Sequence, residues 1–250
     1  MHKFFIVIFL SFFSVNLNAE VLMKPKKMCW PFEGVLGKFD RAALQRGFQV
    51  YKEVCSACHS LKHIRFRELS ALGFSEAEIK AIAAAYSFDT LNDDGEKAER
   101  KGESSDSFPS PFPNDRAARA AHGGALPPDL SLIIKARPHG PDYVHALLTG
   151  YGQKPPEGFV VAEGRYYNPY MNGGQIAMPP PLTQDGLVTY SDGTVATVDQ
   201  MAKDVVTFLT WASEPEMEER KRLGFAVIIY LLIMTGVFFL AMRKIWKGVK

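Results

Sequence analysis

The stretch VCSACHS, Val54 to Ser60, places two of the chain's three cysteines three residues apart and directly before a histidine. Three chemistries use such a spacing: a thioredoxin-type redox pair, half of a zinc site, and covalent attachment of a c-type haem. The residues before the motif read as a helix. Asp40 suits an N-cap, and Leu44, Phe48, Tyr51 and Cys55 recur at helical spacing. A redox pair belongs at a strand-to-helix junction, so that context is missing. A structural zinc needs four ligands, and no cysteine follows Cys58, while His63, His122, His139 and His145 include no second ligand pair at finger spacing. Haem attachment uses every residue of the motif. Each thiol adds its S–H across one porphyrin vinyl group, and the adjacent imidazole of His59 is then held beneath the iron.

The compartment follows from the two ends of the chain. Residues 1–19 open on Met1, His2 and Lys3 and continue with about a dozen mostly apolar residues, too short to span a bilayer. They have the build of a signal peptide, with cleavage expected after Ala19. Residues 223–242, LGFAVIIYLLIMTGVFFLAM, carry no charge and are long enough, at about 1.5 Å per residue, to cross a hydrocarbon core of about 30 Å. Residues 243–250 follow as a basic tail with Arg243, Lys244, Lys247 and Lys250, against Arg220, Lys221 and Arg222 on the other flank. This bias, with the signal peptide, predicts a cytoplasmic tail and an exported domain over residues 20–222. Export strengthens the haem reading, since c-type attachment takes place outside the cytoplasm.

The formal charge of +2 is a property of the ends. Setting aside Lys3 and the four tail cations leaves 24 basic residues against 27 acidic, a net of −3 for the exported part. A nucleic-acid partner is therefore disfavoured. Nine acids against four bases lie between Glu76 and Asp106. That segment reads either as a solvated insertion or as a docking field for a basic partner.

A haem with one histidine needs its sixth position explained. Met201 lies in the helical pattern TVDQMAKDVVTFLTWAS, where Thr197 and Gln200 predict a capping box and Met201, Val205, Phe208, Leu209 and Ala212 an apolar stripe, so its role there is packing. Met178 heads Met178-Pro179-Pro180-Pro181, a run that cannot propagate a helix and holds its backbone stiff. Met178 is the expected sixth ligand and Met171 the reserve. A histidine–methionine pair raises the reduction potential and closes the iron to oxygen chemistry. A gas-binding or peroxidase haem protein would need Met178 off the iron. A purely structural haem is the other alternative.

The segments RGFQVYKEVCSACHS (46–60), GALPPDLSLIIKAR (124–137), DYVHALLTGY (142–151), YYNPYMNGGQIAMPPPL (166–182) and VDQMAKDVVTFLTWASEPE (198–216) resemble, in order, the cytochrome c1 family. These are the haem subunits of ubiquinol:cytochrome c oxidoreductases, in their alphaproteobacterial and mitochondrial forms. The resemblance implies a mainly α c-type cytochrome domain with insertions and one C-terminal transmembrane helix. It implies one covalent haem c on Cys55 and Cys58, with His59 and Met178 on the iron and Arg137 and Tyr143 against the haem and its propionates. It implies that Gly47 and Phe48 mark the crossing of the haem helix and the C-terminal helix, and that GALPPDLS wraps the haem edge on the Rieske side. The implied partners are cytochrome b and the Rieske iron–sulfur protein within a dimeric respiratory complex, cytochrome c as acceptor, and membrane lipid. The implied location is the inner membrane, with the haem domain on the periplasmic side, and no substrate chemistry independent of electron transfer is expected. Some bacterial relatives carry a further disulfide in the second half of the domain, which this chain lacks the cysteines to form. Cys29 has no partner that the sequence identifies.

Overall fold

The computed structural model describes residues 23–248; the expected signal peptide, residues 1–19, lies outside them. The described chain is mainly helical. In order it runs α1 (Arg41–Glu53), α2 (Glu76–Ala84), β1 (Ser87–Leu91), β2 (Lys97–Lys101), α3 (Asp115–Ala121), α4 (Gly140–Thr149), β3 (Tyr166–Tyr167), β4 (Gln175–Ile176), α5 (Val198–Ser213) and α6 (Met217–Lys247).

The helix ahead of the cysteine motif starts where its cap predicts. Asp40 accepts from the Ala42 and Ala43 amides at 2.9 and 3.3 Å, satisfying two of the amides that a helix start leaves orphaned. Leu44, Phe48 and Tyr51 are buried as the stripe predicts, but α1 ends at Glu53 and Cys55 lies in the tighter 3₁₀ turn Cys55–Ala57 that follows. Its opposite number, α5, buries Met201, Val205, Phe208, Leu209 and Ala212. Its capping box is half formed. Thr197 Oγ1 accepts from the Gln200 amide at 3.1 Å, but the Gln200 side chain turns forward to Asp204, at 3.0 Å, where a carboxylate offers a stronger acceptor contact.

The crossing of α1 and α5 organises the core. A Cβ on Gly47 would lie 2.0 Å from the Asp204 carbonyl oxygen and 2.7 Å from Phe208 Cβ, so only glycine permits this approach. Beside it Arg46 grips the buried Asp204 carboxylate through Nε and Nη2, at 2.9 and 3.0 Å, and reaches Asp192 through Nη1 at 2.7 Å. The bidentate geometry compensates for taking the Asp204 charge out of water. Phe48, Tyr51, Phe66, Phe108 and Phe208 fill the space under the crossing with ring centroids 4.4 to 6.0 Å apart.

The acidic segment folds as α2 followed by the antiparallel hairpin β1–β2, closed over Asn92, whose Oδ1 accepts from the Asp94 and Glu96 amides. Asp89 and Glu99 face each other across the strands, and both are exposed. The hairpin base is tied by Arg100, which donates to both oxygens of Asp106 at 2.6 and 2.7 Å. That contact first, and the Glu103 amide second, hold the Asp106 carboxyl down at about 2. A carboxyl depressed on folding stabilises the fold above its ordinary pKa, and the contribution is lost as pH falls toward the depressed value. Amide protection factors over residues 87–106, with the intrinsic exchange rate divided out, are therefore expected to fall as pH drops from about 4 to about 2. The fall should vanish in Arg100→Met; equal pH dependence of protection in both proteins would contradict the assignment.

The apolar C-terminal segment lies in α6, which begins at Met217, a turn and a half before the uncharged stretch. It is long and apolar enough to cross a membrane, and apart from the half-buried Met234 the residues of its uncharged stretch are exposed.

Candidate functional site

The turn after α1 brings the three motif residues together. The Cys58 and His59 amides both donate to the Cys55 carbonyl, at 3.1 and 2.9 Å, which folds the motif back on itself. Both thiols are free, and Cys55 packs against the hydrophobic core. Burial, and secondarily the neighbouring Cys58, push the Cys55 thiol up to about 12, so it rests as a neutral S–H.

His59 is oriented from the far side of the chain. Its Nδ1 lies 2.7 Å from the Pro128 carbonyl oxygen, which can only accept, so Nδ1 carries the proton and Nε2 keeps its lone pair. Burial lowers the imidazole pKa despite that hydrogen bond, keeping the ring neutral. A neutral imidazole with one nitrogen bonded to a backbone carbonyl and the other free is the state that a metal ligand requires.

The segment carrying Pro128 is stapled to the motif. Asp129 Oδ2 accepts from Ser60 Oγ at 2.7 Å and from the Lys62 amide at 2.9 Å, while Oδ1 accepts from the Ser131 amide at 2.9 Å. The Leu130 amide donates to the Ser60 carbonyl, and the His63 amide to Ser131 Oγ. Burial alone would raise the Asp129 carboxyl, but these donors outweigh it and leave the group below its ordinary value. The Pro128–Ser131 part of GALPPDLS therefore lies against the histidine side of the motif.

The methionine loop comes from the opposite half of the chain. Met178 is half-buried on an irregular segment, and the Tyr151 hydroxyl donates to its carbonyl oxygen at 3.0 Å. Among the described residues the Met178 sulfur has no hydrogen-bond partner, whereas the Met171 sulfur accepts from the Tyr143 hydroxyl at 3.6 Å. Tyr143 packs on the core; burial raises its phenol pKa, and the Arg137 charge partly offsets this. Arg137 itself is exposed and makes only a backbone contact, with the Ala136 carbonyl.

The other histidines among the described residues fall into hydrogen-bonding or surface positions. His122 bonds the Ala118 carbonyl through Nδ1 and lies 3.4 Å from Cys58 Sγ through Nε2. His145 is buried against Asp199 at 3.0 Å, and His63 and His139 are exposed. Pro128, Asp129 and Tyr151 are site residues that the sequence reading did not single out individually. The run Pro127-Pro128-Asp129-Leu130-Ser131 held a usable signal, since paired prolines present carbonyls without competing amides and Asp-x-Ser favours a local turn.

The chain matches the model of the Cytochrome C1 family over residues 30–249. It is 49% identical over 240 residues to a protein of Rhodospirillum rubrum named cytochrome c1, covering 90% of this chain and 88% of that one. It is 50% identical over 224 residues to a potato protein, Solanum tuberosum, named "Cytochrome c1-2, heme protein, mitochondrial", covering 88% and 85%. A Bradyrhizobium diazoefficiens protein named "Cytochrome b/c1" is 51% identical over 245 residues, 89% of this chain but 36% of that polypeptide. The present chain thus spans about a third of the Bradyrhizobium protein's length.

Proposed function

Because the chain belongs to the cytochrome c1 family, we propose that it is the membrane-anchored haem subunit of a cytochrome b–c1 complex. In this reading one haem c is bound through Cys55 and Cys58, with His59 and Met178 on its iron. It takes an electron from a Rieske iron–sulfur centre and passes it to a cytochrome c, as part of a quinol:cytochrome c oxidoreductase and with no substrate chemistry of its own.

The observation that carries the reading is the His59–Pro128 hydrogen bond, which prepares Nε2 and nothing else for a metal. The remaining residues fit the group. Cys55 and Cys58 offer two free thiols, Tyr143 packs on the core where it would shield the group from water, and Arg137, whose charge bears on the Tyr143 phenol, would supply a cation to a propionate. The bound group supplies the one-electron couple; the chain keeps His59 oriented and the methionine loop stiff, so little reorganises on transfer. The potato relative's name supports the haem, and the Bradyrhizobium relative's name, which joins b and c1, supports cytochrome b as neighbour. We further place residues 1–19 as a cleaved signal peptide, the haem domain on the periplasmic side of the inner membrane, residues 223–242 as the span and residues 243–250 in the cytoplasm. The basic tail and the exposed apolar α6 support that orientation.

The docking of a basic acceptor is supported by the exposed acids of α2 and the hairpin. Mixing the reduced, haem-loaded chain with an oxidised basic cytochrome c is expected to give second-order electron transfer. Its rate should fall steeply as ionic strength rises, because the encounter is steered by charge. A haem that stays reduced in the presence of excess oxidised acceptor would overturn the acceptor half of the proposal.

A further inference from the structure

Residues 31–38 form a closed loop whose base is fixed to the domain and whose tip is apolar and uncovered. At the base, Trp30 stacks on Phe32, and Phe32 packs on Phe39 with the rings tilted, at centroid distances of 5.4 and 5.5 Å, and the Lys38 amide donates to the Pro31 carbonyl at 3.0 Å. At the tip, Val35 and Leu36 are 74% and 83% exposed. The turn that presents them is set by two glycines: Gly34 sits at φ +75°, and a Cβ on Gly37 would lie 2.0 Å from the Glu33 carbonyl oxygen. Val160 and Val195 are as exposed as these two; what sets Val35 and Leu36 apart is that they are adjacent in one turn and that the turn is fixed to α6.

The loop is also bolted to the start of α6. Glu218 accepts from the Phe39 amide at 2.7 Å and from Arg41 Nη2 at 2.6 Å. One turn further along α6, the Lys221 ammonium donates to the carbonyls of Phe32 and Gly37, at 2.7 and 3.1 Å. Gly37, the residue after Leu36, is thereby held at Lys221, and Leu223, where the uncharged stretch starts, is only two residues, about 3 Å of helix rise, beyond it.

We propose that Val35 and Leu36 are a second membrane contact, an apolar loop tip that enters the boundary between headgroups and acyl chains beside α6. The inference rests on α6 being the membrane span. Lys38 in the loop and Arg220 and Arg222 at the start of α6 are exposed and would meet anionic headgroups at that boundary. With α6 alone the haem domain could swing about the helix axis. Two contacts on one rigid body fix its tilt, and with it the height of the haem above the bilayer.

The test is photocrosslinking of the full haem-loaded chain in its native membrane, with p-benzoylphenylalanine in place of Leu36, Ile229 in the middle of α6, or Val195, which is exposed on the haem domain. An unchanged haem absorbance spectrum in each variant certifies folding. The expected result is a lipid adduct at Leu36 several-fold above that at Val195, together with a strong one at Ile229. A polypeptide adduct at Leu36 would assign the tip to a protein neighbour and overturn the proposal. No adduct at Leu36 beside a lipid adduct at Ile229 would leave the span standing and reject the contact. No lipid adduct at either would remove the span, and the inference with it.

Discussion

Met178→Leu in the haem-loaded chain is expected to lower the midpoint potential by on the order of 100 mV or more and to abolish sulfur-to-iron charge transfer, with the haem still covalently attached. A thioether is a weak, soft donor that stabilises the ferrous over the ferric iron, and leucine offers no donor at all. The loop that presents Met178 should survive the change. Its backbone is set by three consecutive prolines and by the Tyr151 hydroxyl on the Met178 carbonyl, neither of which involves the side chain. Met171 is not an equal substitute, because its sulfur already accepts from Tyr143. A spectrum and potential unaltered in Met178→Leu, but altered in Met171→Leu, would reassign the sixth position.

Gly47→Val is expected to cost about 3 kcal/mol or more and to leave little folded, haem-bearing protein in the membrane. The new side chain meets the backbone of Asp204 and not the movable end of a side chain, so the two helices must separate. Separation also pulls Arg46 from the buried Asp204 carboxylate, leaving a charge without its partner. Gly47→Ala should be harmful in the same direction but less so, since the added Cβ is common to both and valine brings two further methyls. Denaturant unfolding followed through the haem absorbance measures both. Wild-type stability in Gly47→Ala would show that the crossing is looser than these distances imply.

How much of this was legible in the sequence depends on the range of the interactions. Local signals translated directly: Asp40 capped its helix, the Met201-to-Ala212 stripe was buried, and the prolines after Met178 excluded a helix. The Gly47 crossing followed from family resemblance, since a lone glycine in a helical pattern does not say what approaches it. The half-formed capping box failed because Asp204 competed for the Gln200 side chain. The hairpin inside the acidic segment was carried by Asn92 and Gly95 at a turn, but the charge density concealed the alternation. The extra turn and a half of α6 includes Glu218 and Lys221, whose partners are about 180 residues away in sequence, at Phe39, Phe32 and Gly37. The same holds for Pro128, which orients His59 across 69 residues. No pattern within a single segment reports such a contact.

The proposed function requires a covalent haem at Cys55 and Cys58, and peptide mass spectrometry of the mature chain tests that most directly. After denaturation and acid extraction of free haem, the peptide holding Cys55 and Cys58 is expected to retain one haem and to resist alkylation at both sulfurs. The same peptide recovered at its bare mass, with both thiols alkylated and the haem lost to the extract, would contradict it.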